Sequence, residues 1–423
     1  MLDLKYIREN AEAIQQNCKN RGVDADVGLV VELADRRSAL IQQINEMKQR
    51  QNALSKDIPK IIDPELRQDR VRESKEIKNQ IPAQEAELHE VEERLREEQL
   101  KIPNITHPDS PIGKDDSENV EIRRWGDIPE FSFEPKDHVQ LGESLGIIDF
   151  DAGAKVAGSK FYFLRGDAVL LELGLIRYAM DILMERGYAP TITPDVARDE
   201  ALIGTGFSPR GPETQIYSVE NSDLSLVATA EIPLAGQLTD EILDEAELPL
   251  RYAGLSHCFR TEAGSHGRAS RGLYRVHQFT KVEMFAFSTP EQSEEIHNEM
   301  VEIEEKVFQG LELPYRVVDI CTGDLGGAAY RKYDLEAWMP GRNDFGEVTS
   351  TSNTTDYQAR RLRIRYRKTG SRPQLLHTLN GTALAISRAL IALLEIHQRK
   401  DGTINLPTNL VPYVGKETLS PAK

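Results

Sequence analysis

Cysteine is almost missing from this chain of 423 residues: Cys18, Cys258 and Cys321 stand far apart and form no CxxC pair. Three scattered thiols exclude a disulfide framework and supply no zinc-ligand spacing. Free thiols in a reducing cytoplasm are the simplest expectation. Long apolar runs are missing too. None approaches the ~20 residues of a membrane span, so no membrane partner is expected. The opening MLDLKYIREN has no apolar core behind its basic residues, which argues against a secretory leader. There is no Walker A loop, no GxGxxG ahead of a helix, no GxSxG and no HExxH. P-loop, dinucleotide, serine-hydrolase and zinc-protease readings therefore lack support. Positive charge is in deficit: 52 Lys and Arg against 69 Asp and Glu leave a formal net charge of −17. Sequence-independent nucleic-acid binding works by neutralising phosphates and is disfavoured. Any RNA contact belongs to a local basic patch and is chosen by shape.

What is present is an ordinary folded composition, with 39% hydrophobic and 29% charged residues, in a length that suits two or three domains. The first hundred residues nearly lack aromatics. Their apolar residues recur at spacings of three and four. One run uses Leu33, Leu40, Ile44, Met47, Leu54 and Ile58; a second uses Ile77, Ile81, Leu88, Val91, Leu95 and Ile102. Both follow a heptad, and two prolines between Asp57 and Pro64 break the pattern. The expectation is an antiparallel helical hairpin, each helix reaching roughly 45 Å at ~1.5 Å per residue. A dimerisation coiled coil would show the same heptads. Pro82 predicts a kink or local irregularity in the second helix.

A Pro-, Asp- and Gly-rich stretch reads as a linker over residues 104–135, between an arm at 1–103 and a second domain at 136–415. The tail, residues 416–423, is expected to be disordered. Ala168 to Arg186 predicts an amphipathic helix with Asp167 as its N-cap and Gly187 as its stop. LSLVATAEI, LRYAGLSHCFR, RVHQFTKVEMFAF and YRVVDI read as strands, hence an α+β domain with an antiparallel sheet. HTLNGTALAISRALIALLE reads as strand, turn and helix. Asn380, Gly381 and Thr382 are placed at the turn, and Arg388 two turns into the helix.

The densest chemistry lies between Cys258 and Phe285. Arg260, Arg268, Arg271 and Arg275 share a loop with Gly264, Gly267 and Gly272. Planar guanidinium forks and close backbone approach suit a polyphosphate. Alternation then puts Phe279, Lys281 and Glu283 on one strand face. A base can stack on Phe279 while Glu283 meets a cation; a solvated charged hairpin with Phe279 in the core is the bland alternative. In FGEVTSTSN, Glu347 and Ser350 offer carboxylate and hydroxyl oxygens of the kind Mg²⁺ takes, although alone they read as a polar loop.

Together these pieces resemble the three signature motifs of class II aminoacyl-tRNA synthetases, and their wording is similar to that of seryl-tRNA synthetases. The long helix leading to GYAPTITPDV, with Pro194, resembles the dimer motif. FRTE to HQFTKVEMF resembles the second motif and GTALAISRALIALLE the third. IPNITHP, GTGF and the Thr229–Glu231 TAE triplet match as well.

The resemblance implies a long antiparallel coiled-coil arm, then an antiparallel β-sheet catalytic domain flanked by helices. It implies a serine–tRNA ligase that uses ATP and Mg²⁺, is a homodimer, and acts on serine tRNA and selenocysteine tRNA. Arg260 and Arg388 would be catalytic. Thr229, Ala230, Glu231, Glu283, Asn380 and Thr382 would form the serine pocket. Arg260, Thr261, Glu262, Arg275, Val276, Phe279, Glu347, Val348, Thr349, Ser350 and Arg388 would bind ATP, with Glu347 and Ser350 on the metal. In this reading Arg388 covers the other face of the adenine from Phe279, or reaches the γ-phosphate. Thr382 stands where the family often has Ser, and both keep a hydroxyl. An amino-acid-activating homologue that loads a carrier protein is the nearest alternative, although it has no need of the arm. A non-catalytic coiled-coil protein would bind no ATP.

Overall fold

A computed structural model describes residues 1–208, 215–263 and 272–421. The chain divides into two compact units, Met1–Ile105 and Thr106–Lys423.

The first unit is helical. Two short helices, α1 (Leu4–Glu9) and α2 (Ala11–Asn20), precede the long pair α3 (Val27–Asp57) and α4 (Pro64–Lys101). Asp26 caps α3, Asp63 caps α4, and Pro64 occupies the first turn, where its missing N–H costs nothing. The heptad seam is real: Leu33, Leu40, Ile44, Leu54, Ile81 and Leu95 are buried. At the hairpin's base Leu2, Ile7, Ile14 and Cys18 pack with Val30, Leu33, Leu95 and Ile102. The helix runs unbroken through Pro82, so the expected irregularity does not interrupt it. Cross-hairpin ion pairs flank that region, among them Lys48–Glu85 at 2.7 Å and Arg37–Glu92 at 2.9 Å.

The second unit is built on an eight-stranded sheet. In chain order its strands are β1 (Val120–Trp125), β2 (Ala189–Ile192), β3 (Leu250–Phe259), β4 (Gln278–Ser288), β5 (Tyr315–Asp319), β6 (Arg331–Met339), β7 (Asp344–Thr355) and β8 (His377–Ala385). They lie in the order β1-β5-β6-β7-β8-β4-β3-β2. Every pairing is antiparallel except that of β2 with β3.

Five helices position the site: α5 (His138–Leu145), α6 (Asp167–Glu185), α7 (Glu231–Gly236), α8 (Ser293–Gly310) and α9 (Ile386–Ile396). One sheet face, with Val282, Met284 and Ala286, packs in one core with Leu175 of α6, Met300 and Phe308 of α8, and Leu390 and Leu394 of α9. Opposite, Phe285 and Phe287 cluster with Ala230 and with Leu234 of α7. The strip of that second face left for chemistry lies beyond these residues.

Several expectations need correction. The 104–135 stretch is not a bare linker, because VEIRRW within it forms edge strand β1 against β5. Its flanking prolines and glycines masked that short β-forming run. The tail is not disordered as far as residue 421. β9 (Ile404–Asn405) pairs with β10 (Thr418–Leu419), and Leu419 is buried. Asp167 is the first residue of its helix and Gly166 holds the cap position, with φ 51°, which glycine adopts freely. Of LSLVATAEI only Leu224–Leu226 is strand, and Glu231 opens α7. Asn380, Gly381 and Thr382 form no turn: they sit inside β8, opposite Phe285, Met284 and Glu283. Glycine is there because a Cβ at position 381 would lie 2.7 Å from the Thr351 hydroxyl. Arg388 is accordingly the third residue of α9, not two turns in.

Candidate active site

Period-two alternation on four neighbouring strands assembles the site. On β4 it aligns Phe279, Lys281 and Glu283, and β8 adds Asn380 and Thr382. On β7 simple alternation would separate Glu347 from Ser350. A bulge resolves this: Glu336 and Asp334 of β6, two residues apart, pair with Glu347 and Ser350, three apart. The additional residue, Val348, brings the oxygen-bearing side chains of Glu347 and Ser350 to one face.

Lys281, Glu283, Thr382, Glu231 and Asn380 form a buried polar cluster. Lys281 Nζ lies 2.5 Å from Glu283 Oε2 and 3.5 Å from the Thr382 hydroxyl, which donates to Glu283 at 3.3 Å. Glu231 Oε1 accepts from Gln358 Nε2 at 2.6 Å and from Asn380 Nδ2 at 3.0 Å. The Glu231 backbone N–H donates to the Thr229 hydroxyl at 3.3 Å. Burial, reinforced by the neighbouring Glu283, pushes the Glu231 carboxyl up to about 7. A cluster of one amine and two carboxyl groups in a buried site is suited to a zwitterionic ligand of small size.

The adjoining cleft is lined by Arg260, Glu262, Tyr274, Val276, Phe279, Glu347 and Arg388, among others. The Arg260 guanidinium lies 5.3 Å over the Phe279 ring. Arg388 bridges to Glu347, with Nη1 2.9 Å from Oε1 and 3.0 Å from the backbone oxygen. Burial opposes charge on Glu347, but Arg388, Lys332 and Arg260 outweigh it and hold the carboxyl below its ordinary value. Beside it, burial drives the Asp334 carboxyl up despite Lys332. Glu262 sits at φ 50° and its carboxylate meets Arg275 at 3.4 Å. Thr261 is tied by its backbone to Gln215 at 3.0 Å. Val276, Val348 and Thr349 are buried beneath the cleft. Gly264, Gly267, Arg268 and Arg271 lie outside the described residues.

The sequence reading passed over four participants. Lys281 was visible by alternation but carried no role. Lys332 and Asp334 alternate in RKYDLE and were equally readable. Tyr274 had no local signal. Its ring is sandwiched by cations, with Arg342 at 4.3 Å and Arg388 at 4.8 Å from the centroid. Arg388 therefore faces Tyr274, a contact absent from the sequence reading, which had it on the adenine face or at the γ-phosphate.

A sheet antiparallel but for its β2 edge, with Arg260, Arg388, the Phe279 ring and carboxylates gathered around one cleft, has the form of the catalytic core of a class II aminoacyl-tRNA synthetase. Residues 216–397 match the family described as tRNA synthetase class II core domain (G, H, P, S and T). Residues 1–106 match the seryl-tRNA synthetase N-terminal domain. The chain is similar to a serine–tRNA ligase of Rubrobacter xylanophilus, 73% identical over 423 residues and covering 100% of both. It is similar to one from Treponema denticola at 56% over 417 residues, covering 98% of this chain and 99% of that one. Among solved structures it resembles a seryl-tRNA synthetase from Pyrococcus horikoshii complexed with ATP. The TM-score is 0.94 at 43% identity, and all of both chains is covered. This chain belongs to the seryl-tRNA synthetase family.

Proposed function

We propose that this chain activates serine with ATP and passes the seryl group to tRNA, using the residues just described. The observation that carries the reading is the join of two sites on one sheet face. The Lys281–Glu283–Thr382–Glu231 cluster opens beside the Arg260–Phe279–Arg388 cleft. A serine carboxylate oxygen attacks the α-phosphorus of ATP, its bond to the bridging oxygen breaks, and pyrophosphate leaves. A ribose hydroxyl at the end of tRNA then attacks the acyl carbonyl and AMP departs. No side chain forms a covalent bond. Arg260 and Arg388 neutralise charge that grows on the phosphates, and pre-set geometry does the rest.

Phe279 offers its face to the adenine, Glu262 its carboxylate to the exocyclic amine, and Arg275 a cation to the γ-phosphate. Thr229, Ala230, Glu231, Glu283, Asn380 and Thr382 enclose serine. Selectivity follows from buried hydrogen-bonding groups that alanine would leave unpaired. Few hard oxygen donors suffice for Mg²⁺, and the bulge at Val348 that aligns Glu347 with Ser350 supplies them. Bound there, the metal would neutralise phosphate charge.

In this reading residues 1–103 hold the tRNA. Lys56, Arg67, Lys75 and Lys78 are exposed near the arm's tip and carry no ion pair among the described residues, so they are available to phosphates. Selenocysteine tRNA belongs to the same proposal. Residues 136–415 carry the catalysis, and the work is placed in the cytoplasm. No helix among the described residues is long and apolar enough to cross a membrane. The carrier-protein alternative is not favoured, because the arm matches a tRNA synthetase domain along its whole length.

Serine-dependent ATP–pyrophosphate exchange tests the assignment. Arg388→Ala should lower kcat at least about a hundredfold, the scale of losing one charge stabiliser. Normal exchange in that variant would contradict its role.

A further inference from the structure

Behind the nucleotide cleft lies a buried acid–imidazole pair with no part in the chemistry above. Glu395, on α9, is 1% exposed. Its Oε1 accepts from the backbone N–H of His138 at 2.9 Å and lies 2.8 Å from His138 Nδ1. Its Oε2 accepts from the backbone N–H of Gly341 at 2.8 Å. The other imidazole nitrogen, Nε2, accepts from the backbone N–H of Leu273 at 3.1 Å. Those contacts fix the tautomer. Nε2 must be unprotonated to accept, so Nδ1 carries the hydrogen and donates it to the carboxylate.

The three anchored points have a common geometry. Leu273 immediately precedes Tyr274, and Gly341 immediately precedes Arg342, whose guanidinium lies 4.3 Å over the Tyr274 ring. Glu395 itself stands seven residues, about two turns, beyond Arg388 on the same side of α9, and Arg388 covers the same ring at 4.8 Å. Each member of the Arg342–Tyr274–Arg388 stack is thus referenced to one buried pair. The backbone makes room for it. A Cβ on Gly272, at φ +88°, would fall 2.1 Å from His138 Nε2, and one on Gly341 would fall 2.8 Å from Glu395 Oε1.

We propose that Glu395 and His138 are positioning residues for ATP, holding Tyr274 and, through it, Arg388 in register with the cleft. The pair touches no substrate. It joins the segment Gly272–Tyr274, the β6–β7 turn and α9, so that the elements bearing phosphate-binding cations keep one geometry. This inference rests on the nucleotide-site assignment made above.

The test is a double-mutant cycle in the full-length protein, read by KM for ATP and KM for serine in pyrophosphate exchange. His138→Ala and Gly272→Ala should each raise the ATP KM by about fivefold or more, with the serine KM within about twofold of wild type. The double variant should fall clearly short of the product of the two singles, because the clash of the new Cβ with the imidazole goes when the imidazole does, leaving only the strain of alanine at φ +88°. Wild-type ATP KM in the singles, equal damage to both KM values, or effects that multiply in the double would each overturn the inference. Glu395→Gln keeps the volume and replaces an acceptor with a donor facing Gly341 or His138. It should show the same ATP-selective defect, and it stands in for His138→Ala should that variant not fold. Arg388→Ala is the control. If it loses exchange while the His138, Gly272 and Glu395 variants keep wild-type ATP KM, the inference alone falls. If Arg388→Ala is itself normal, the site assignment falls and the inference with it.

Discussion

Glu231 concentrates the conflict between binding and folding in one side chain. Burial, then the nearby Glu283, push its carboxyl up to about 7. The native state therefore holds a proton that the unfolded chain has already released between the ordinary carboxylate range and that pH. Where the native state binds more protons, stability falls as pH rises. Across the full window the loss is roughly 3 kcal/mol at 1.4 kcal/mol per pH unit. Glu231→Gln keeps the oxygen that Gln358 and Asn380 donate to and removes the titration. Equilibrium unfolding should show the variant more stable than wild type above about pH 7 and equal to it near the acid end. Serine activation should be lost at the same time. An unchanged pH slope would contradict the buried-carboxylate account. At this scale the sequence was legible where chemistry and pattern coincide, as in Phe279 and Glu283 alternating on one strand. It was not legible for Tyr274, whose part depends on Arg342 and Arg388, 68 and 114 residues further along the chain.

Elements with a period were readable and elements with a defect were not. The heptads predicted two long helices with a break between Asp57 and Pro64, where α3 ends and α4 begins, because a repeated seam overdetermines the helix. Asn-Gly misled, since it normally marks a turn, whereas Gly381 is the close approach of β7 to β8. The bulge at Val348 leaves no trace in composition, yet it alone sets Glu347 beside Ser350. The base of the hairpin bears on how the arm should be tested. Removing all of residues 27–102 would strip the cover from Leu2, Ile7 and Ile14. Replacing only residues 41–84 by a short loop spares that core and still removes Lys56, Arg67, Lys75 and Lys78. The shortened protein should keep serine-dependent pyrophosphate exchange within about twofold of the full chain and lose at least about tenfold in tRNA charging, the order expected when several phosphate contacts go. Charging at the full rate would return the hairpin to a structural coiled coil.

On the scale of the whole molecule, a strongly acidic chain that handles RNA meets it through local groups of cations, and among the described residues Lys56, Arg67, Lys75 and Lys78 near the arm's tip are exposed and without an ion pair. The α6 helix is apolar on more than its core side: Val169, Leu170 and Leu173 are exposed, as is Ile192 on edge strand β2. Such a patch is compatible with the homodimer that the sequence reading implied, and sedimentation at twice the 47.6 kDa chain mass would support it where a clean monomer would not. The central claim is that one chain selects serine and delivers it to tRNA. It is tested most directly by incubating the full-length protein with ATP, total tRNA and each amino acid in turn, and measuring acid-precipitable aminoacyl-tRNA. The account predicts charging with serine alone, confined to the serine-accepting fraction of the tRNA. Efficient charging with another amino acid, or serine activation with no tRNA product, would contradict it.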